Sequence, residues 1–318
     1  MRPQQLEIQL DSPSGYYFTG SVVNGKLLLS AATGVKLRDI RVQLFGCLHN
    51  SWVNKTSDKI YESRVELVSE LQPLMLYLSK VSDGEFLPQG SHEIPFRFQL
   101  PPDLPSSIFN EHFGSVRYAC TATVSILAES CLPGFTAHDF TTQAPLSVLS
   151  YVNLADYPSS SEPVQREDSV EQMSCCRSTG AVSASIRLAR SGWLIGERLS
   201  AQLSWNSTTT RRIHHSPLLT LVQETRFRAG NRYEPVLSDE KEARQAIASV
   251  PVYNAAGDHA DLPHSFDGQL HLDLPTDIPP SSRPEPGQLI RISYFLRLDT
   301  AAFQLTLPIF LASANSSP

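Results

Sequence analysis

The chain has 318 residues, 41% of them hydrophobic and 18% charged, which is enough length for one large domain or two ordinary ones and excludes a mainly disordered protein. Its 26 Lys and Arg against 32 Asp and Glu leave a formal charge of −6, so no global basic field draws in nucleic acid. No run approaches the ~20 apolar residues of a membrane span, and the opening MRPQQLEIQL lacks a signal peptide's apolar core, so the expected location is the cytoplasm.

Period-two alternation dominates the chain from its start. Leu6, Ile8 and Leu10 predict a first half-buried strand. In VKLRDIRVQLF the apolar phase moves from Leu37 to Ile40, Val42 and Leu44, which predicts a bulge near Asp39. Lys36 and Arg38 share the wet face there and Arg41 lies just beyond the bulge. The three form a candidate site for an acidic peptide or phosphate, the alternative being a solvated face shielded by Asp39. The next segment, CLHNSWVNKTSDKIYESR, carries Trp52, a candidate aromatic anchor for a partner, with packing on its own sandwich as the alternative.

Alternation returns in Ile94, Phe96, Phe98 and Leu100, and in Val116, Tyr118, Cys120, Ala122 and Val124, both predicted strands. A Ser, Pro and acidic stretch with little apolar content then predicts a linker over 151–179, between domains at 1–150 and 180–318. Near its end the adjacent thiols of Cys175 and Cys176 are candidates for reversible palmitoylation, or are idle.

Beyond residue 180 arginine outnumbers lysine twelve to one. Arg211, Arg212, Arg226, Arg228 and Arg232 form a group in which Arg226 and Arg228 share a face if TLVQETRFR is a strand, a candidate site for an anionic head group or acidic tail. SDEKEARQAIASV is the best candidate for a short helix, capped by Ser238, or else a hairpin loop. Leu270, Leu272 and Leu274, then Ile290, Ile292, Tyr294, Leu296 and Leu298, predict two late strands. The 23 prolines against 16 glycines suit strand-ending turns, and the whole reads as all-β.

The motif chemistry of an enzyme is missing: the sequence contains no HExxH, GxSxG, Walker loop or GxGxxG. His214 and His215 are adjacent and on a strand would point to opposite faces, so they do not share a metal ion. The five cysteines lack a CxxC pair. No catalytic residue, metal site or cofactor is expected.

An internal duplication organises the strands. LPPDLPSS at 100–107 recurs as LPTDIPPS at 274–281, an offset of 174 residues; Gly20-SVVN-Gly25 resembles Gly192-WLI-Gly196, and VRYACTATV resembles LIRISYFLRL.

The ordered set of KLRDIRVQLFG with Trp52 beyond it, GSHEIPFRFQLPPDLPSS and FGSVRYACTATV, followed by GWLIGERLSAQLSWNST, LPTDIPPS, LIRISYFLRLD and LTLPIFLA, resembles the arrestin family, of the α-arrestin, arrestin domain-containing type. The resemblance covers almost the whole chain. It implies two tandem arrestin-like, immunoglobulin-like β-sandwich domains, with concave faces and loops that grip cytosolic segments of membrane-protein cargo. The implied role is a cytoplasmic, non-enzymatic adaptor in protein transport, endocytosis and signal transduction, peripheral at the plasma membrane or endosomes and linked to ubiquitin-dependent sorting or coat components. The sequence contains no PPxY, the motif by which α-arrestins commonly recruit WW-domain ubiquitin ligases, and its first strand has none of the paired lysines by which receptor-binding arrestins sense phosphates. The alternatives are a constitutive scaffold subunit of a retromer-like complex and a sandwich enzyme with an unrecognised loop site.

Overall fold

Alternating side chains need a surface to bury against, and in this chain nearly every alternating run becomes a strand paired antiparallel with another. The structure, a computed structural model, describes residues 3–12, 14–77, 86–128, 136–174, 177–208, 216–234, 236–253, 263–283, 285–300 and 302–313. It divides into two units, Met1–Tyr151 with Ala229–Asp239, and Val152–Arg228 with Glu240–Ser317.

The first unit contains β1 (Gln5–Leu10), β2 (Tyr17–Phe18), β3 (Val22–Ala31), β4 (Val35–Asn54), β5 (Lys59–Pro73), β6 (Phe86–Leu87), β7 (Gly90–Gln99), β8 (Ile108–Asn110), β9 (Gly114–Ala128), β10 (Thr136–Leu146) and β11 (Val148–Leu149). One sheet has the order β1-β3-β7; the other has the order β10-β9-β4-β5, with β6 on β4 and β8 on β9. Leu27, Leu29, Ile94 and Phe96 of the first sheet and Leu37, Ile40, Val42, Leu44, Val116 and Val124 of the second are buried in the core. The expected bulge is present, since the pairing of β4 with β9 shifts register between Leu37 and Asp39 and turns Ile40, Val42 and Leu44 inward.

The second unit opens with 3-10 turns at Leu154–Asp156 and Pro158–Ser161 and continues through β12 (Val164–Ser174), β13 (Arg177–Leu188), β14 (Gly192–Leu194), β15 (Arg198–Ser207), β16 (Leu218–Gly230), β17 (Ser238–Pro251), β18 (Ser265–Asp273), β19 (Ile290–Asp299) and β20 (Gln304–Ala312). Its sheets are β12-β13-β15-β18 and β14-β20-β19-β16-β17. Ile186, Leu199, Leu203, Leu219, Leu221, Leu296 and Leu298 fill its core.

Two expectations are corrected here. Residues 164–174, read as linker, form the edge strand β12, paired along its length with β13 with one register shift after Gln172. An edge strand exposed on both faces is held by backbone bonds and has no apolar period to betray it. SDEKEARQAIASV is neither helix nor loop but all except the last residue of β17, in whose first half Asp239, Lys241 and Ala243 are half-buried between exposed neighbours. Its polarity reflects cross-strand ion pairs, which the helical reading of its charges missed.

The duplication reaches down to single hydrogen bonds. Gly20 and Gly196, at φ of +81° and +84°, close equivalent turns in which Ser21 N–H donates to Phe18 O and Glu197 N–H to Leu194 O, each at 3.1 Å. Gly196 is therefore the structural counterpart of Gly20, the position the sequence match gave to Gly192. Past the turns, Tyr118 donates its hydroxyl to Pro105 O at 2.7 Å and Tyr294 to Pro279 O at 2.6 Å, the two prolines holding the same place in LPPDLPSS and LPTDIPPS.

Candidate partner-binding surfaces

The long β4–β5 hairpin carries Trp52 on its inward face, between exposed Ser51 and Val53. The indole is 7% exposed, stacks on Tyr61 with centroids 6.4 Å apart and meets Phe113 edge-on. Its Nε1–H donates to Asp239 Oδ2 at 3.0 Å, and Asn54 Nδ2 donates to the same oxygen at 3.2 Å. Asp239 belongs to the segment Ala229–Asp239 of this same unit. An aromatic anchor needs an open ring, so the packing alternative describes Trp52. Nearby, Lys59 pairs with Glu234 at 3.2 Å, and Glu62 lies 3.8 Å from Arg232 and 3.2 Å from His49.

Lys36, Arg38 and Arg41 all project on the outer side of β4, as their spacing predicts. Lys36 sits where β4 pairs with β6, opposite Phe86. Arg41 is ion-paired with Asp39 through NH1, the shielding that the alternative reading named. Arg38 is exposed and meets no carboxylate among the described residues.

Arg226 and Arg228 share a face of β16, again as the spacing requires, but acids take up their charge. Glu224, its side chain 8% exposed, accepts from Arg226 at 2.9 Å and from Arg244 of β17 at 3.1 Å. Glu242 lies 2.6 Å from Arg244 and 3.8 Å from Arg226, and Glu240 lies 4.0 Å from Arg228. The alternating charges of β16 and β17 thus form a neutralised ladder, which corrects the reading of this pair as an open anion site. The sequence hid Glu240 and Glu242 because they stand on the segment read as a helix, whereas Glu224 stands two residues before Arg226, within TLVQETRFR itself. Arg211, Arg212, His214 and His215 lie outside the described residues, as do Cys175 and Cys176.

Of the cysteines described, Cys120 is fully buried, and burial pushes its thiol up to about 12. Cys47 is half-buried on the outer face of β4. It floors a cleft of about 450 Å³, whose lining includes His49, Arg64, Phe109, Phe113 and Arg117. Residue spacing did not single this cleft out, because its members come from β4, β5, β8 and β9 and only the register brings them together. Among the described residues no group of three or more His, Cys, Asp or Glu is placed to hold a metal ion, and no helix is long and apolar enough to cross a membrane.

Other surfaces suit backbone recognition. β5 ends the strand order of its sheet; among the described residues a single isolated bridge joins Tyr61 to Asn231, and Arg232 N–H donates to Ile60 O at 3.0 Å. Val65 and Leu71, farther along β5, are exposed. Tyr233, Val236 and Leu237 are also exposed, on the turn that joins β16 to β17, where Asn231 Oδ1 accepts from the backbone N–H of Tyr233 and Glu234.

Comparison with known proteins agrees with this architecture. The family model described as arrestin (or S-antigen), N-terminal domain, matches residues 6–150, and that for the C-terminal domain matches residues 178–313. The chain is 27% identical to arrestin domain-containing protein 15 of Caenorhabditis elegans, over 99% of this chain and 80% of that protein. It is 26% identical to arrestin domain-containing protein 17 of the same organism, over 71% of this chain and 52% of the relative, and 30% identical to human arrestin domain-containing protein 4, over 64% and 48%. The matched region thus spans about half the length of these last two relatives. With both family domains in order along two all-β sandwich units, the chain belongs to the arrestin family, of the arrestin domain-containing, α-arrestin type.

Proposed function

We propose that the protein is a non-enzymatic adaptor that binds cytosolic segments of membrane proteins and couples them to the transport or endocytic machinery. The observation that carries this reading is the pair of arrestin domains, matched over 6–150 and 178–313. The mode of binding is strand addition together with side-chain pockets. An open edge supplies unpaired N–H and C=O groups, and β5 beyond Ser63 offers such an edge with Val65 and Leu71 exposed beside it. Coupling to a ubiquitin ligase or coat component proceeds by a route other than PPxY within these residues, and contact with the membrane is peripheral, through the cargo.

The test is an affinity pull-down from detergent-solubilised membranes, read by quantitative mass spectrometry, with the wild-type chain and a variant bearing Pro at Val65 and Leu71 to block pairing along β5. Substoichiometric membrane proteins, depleted by the variant, are the expected result. One or two partners at fixed stoichiometry, indifferent to the variant, would mean a constitutive scaffold subunit and overturn the adaptor reading.

A further inference from the structure

We propose that the cleft over Cys47 is a docking site for an acidic peptide segment, with Arg64 and Arg117 meeting its carboxylates and Phe109 its apolar side chains. The proposal rests on the adaptor reading and names the chemistry of the segment bound.

Register builds the site. Arg64 of β5 stands opposite His49, and Arg117 of β9 opposite Cys47, so the two arginines flank β4 from its two neighbouring strands. Two strand spacings across and two residues along place their backbones about 12 Å apart, the span of roughly three to four residues of extended chain. Neither guanidinium meets a carboxylate within ion-pair distance among the described residues, whereas Arg41, Arg190, Arg226, Arg244 and Arg297 each do. Arg117 lies over the ring of Phe109, 4.5 Å from its centroid. A stacked guanidinium keeps its in-plane N–H groups available for a carboxylate.

The rest of the lining selects the partner. Phe109 is 63% exposed, and an inorganic anion gains nothing from an open phenyl ring, whereas a peptide side chain does. Glu111 also lines the cleft, and Glu66 stands opposite Cys47 on β5, so the charge is local and small. That disfavours a polyanion or an anionic bilayer and favours a short segment with a few spaced carboxylates. The volume of about 450 Å³ falls among ligand clefts, ~300 to 1,000 Å³.

Cys47 supplies a reporter inside the cleft. In the full chain with Cys131→Ser, Cys175→Ser and Cys176→Ser, the remaining thiols are Cys47 and the buried Cys120. The probe is a fluorescein-labelled peptide with two Glu three residues apart around a Phe, followed by fluorescence anisotropy, with labelling of Cys47 by a disulfide reagent measured in parallel. Binding is expected to weaken roughly tenfold or more in Arg64→Glu/Arg117→Glu and when Gln replaces Glu in the peptide, to weaken with salt, and to be unchanged in Arg226→Glu/Arg228→Glu. Saturating peptide should slow labelling of Cys47. Undetectable binding at millimolar peptide, equal affinity in the reversed variant, unprotected Cys47, or displacement of the peptide by equimolar inorganic phosphate would each overturn the proposal. Capture of cargo by the reversed variant alongside any of those results would remove the cleft and leave the adaptor reading standing; peptide binding without cargo capture would do the opposite.

Discussion

Tyr118 lays its ring across the backbone of Gly46, so close that a β-carbon built on the glycine would stand 2.4 Å from Cδ1 of the ring and 2.9 Å from Val68 Cγ1. Gly46 and Tyr118 are paired across β4 and β9, and the register of β4 with β5 shifts immediately after Gly46. Gly46→Ala must therefore push an aromatic ring out of a packed interior. The expected loss is roughly 1–3 kcal/mol, read as a lower urea midpoint at unchanged slope.

The same ring carries a hydroxyl whose loss is separable. Tyr118→Phe leaves the packing and removes the donor to Pro105 O; Tyr294→Phe does so to Pro279 O. Each should cost about 1–3 kcal/mol because a carbonyl loses its partner, and the double variant should show the sum, since the two lie in different units. Equal melting temperatures for wild type and both variants would show that these bonds are not structural joints.

Cys120 makes alkaline stability testable. Burial raises its thiol from 9.0 to about 12, so the folded chain holds a proton that the unfolded chain releases. Stability from this group is complete below pH 9 and is lost as pH rises toward 12, with a slope of up to about 1.4 kcal/mol per pH unit. Unfolding midpoints across pH 8 to 11 should begin to fall near 9 in the wild type and only above 10 in Cys120→Ala, where the tyrosines take over.

Glu224 is expected to act as a neutraliser. Glu224→Gln should free the charge of Arg226 and Arg244, shifting elution from a heparin column to higher salt while costing about 1–3 kcal/mol through the lost charged hydrogen bonds. Unaltered elution would mean that Glu240 and Glu242 suffice.

Trp52→Ala should lose about 3–5 kcal/mol as its contacts with Tyr61 and Phe113 empty. Trp52→Phe should recover most of that, keeping the apolar contacts while giving up the donor to Asp239. An alanine variant of wild-type stability would restore the indole as a surface group.

Residues that alternate against a core declared themselves in the sequence. Leu37 to Leu44 revealed both a strand and its bulge because burial punishes a slip in phase, and the two proline stretches revealed the duplication because identical joints constrain identical residues. Edges and ion-pair ladders stayed hidden. β12 is held by backbone bonds and β17 also by ion pairs across strands, neither of which leaves an apolar period, and of the acids around Arg226 only Glu224 lies near it along the chain, Glu242 standing on β17. For the same reason the cleft of Arg64 and Arg117 became visible only when register put β5, β4 and β9 side by side.

The edge strand β12 carries Glu167, Asp168 and Glu171, with serines at 169 and 174 and only a few apolar side chains. An open strand edge is a template for pairing with a second copy, and two β12 strands would bring three carboxylates against three, with one arginine each, Arg166, to offset them. The acidity that made 164–174 read as a spacer thus doubles as protection against fibre-like self-association, and its removal would threaten solubility before it threatened the fold.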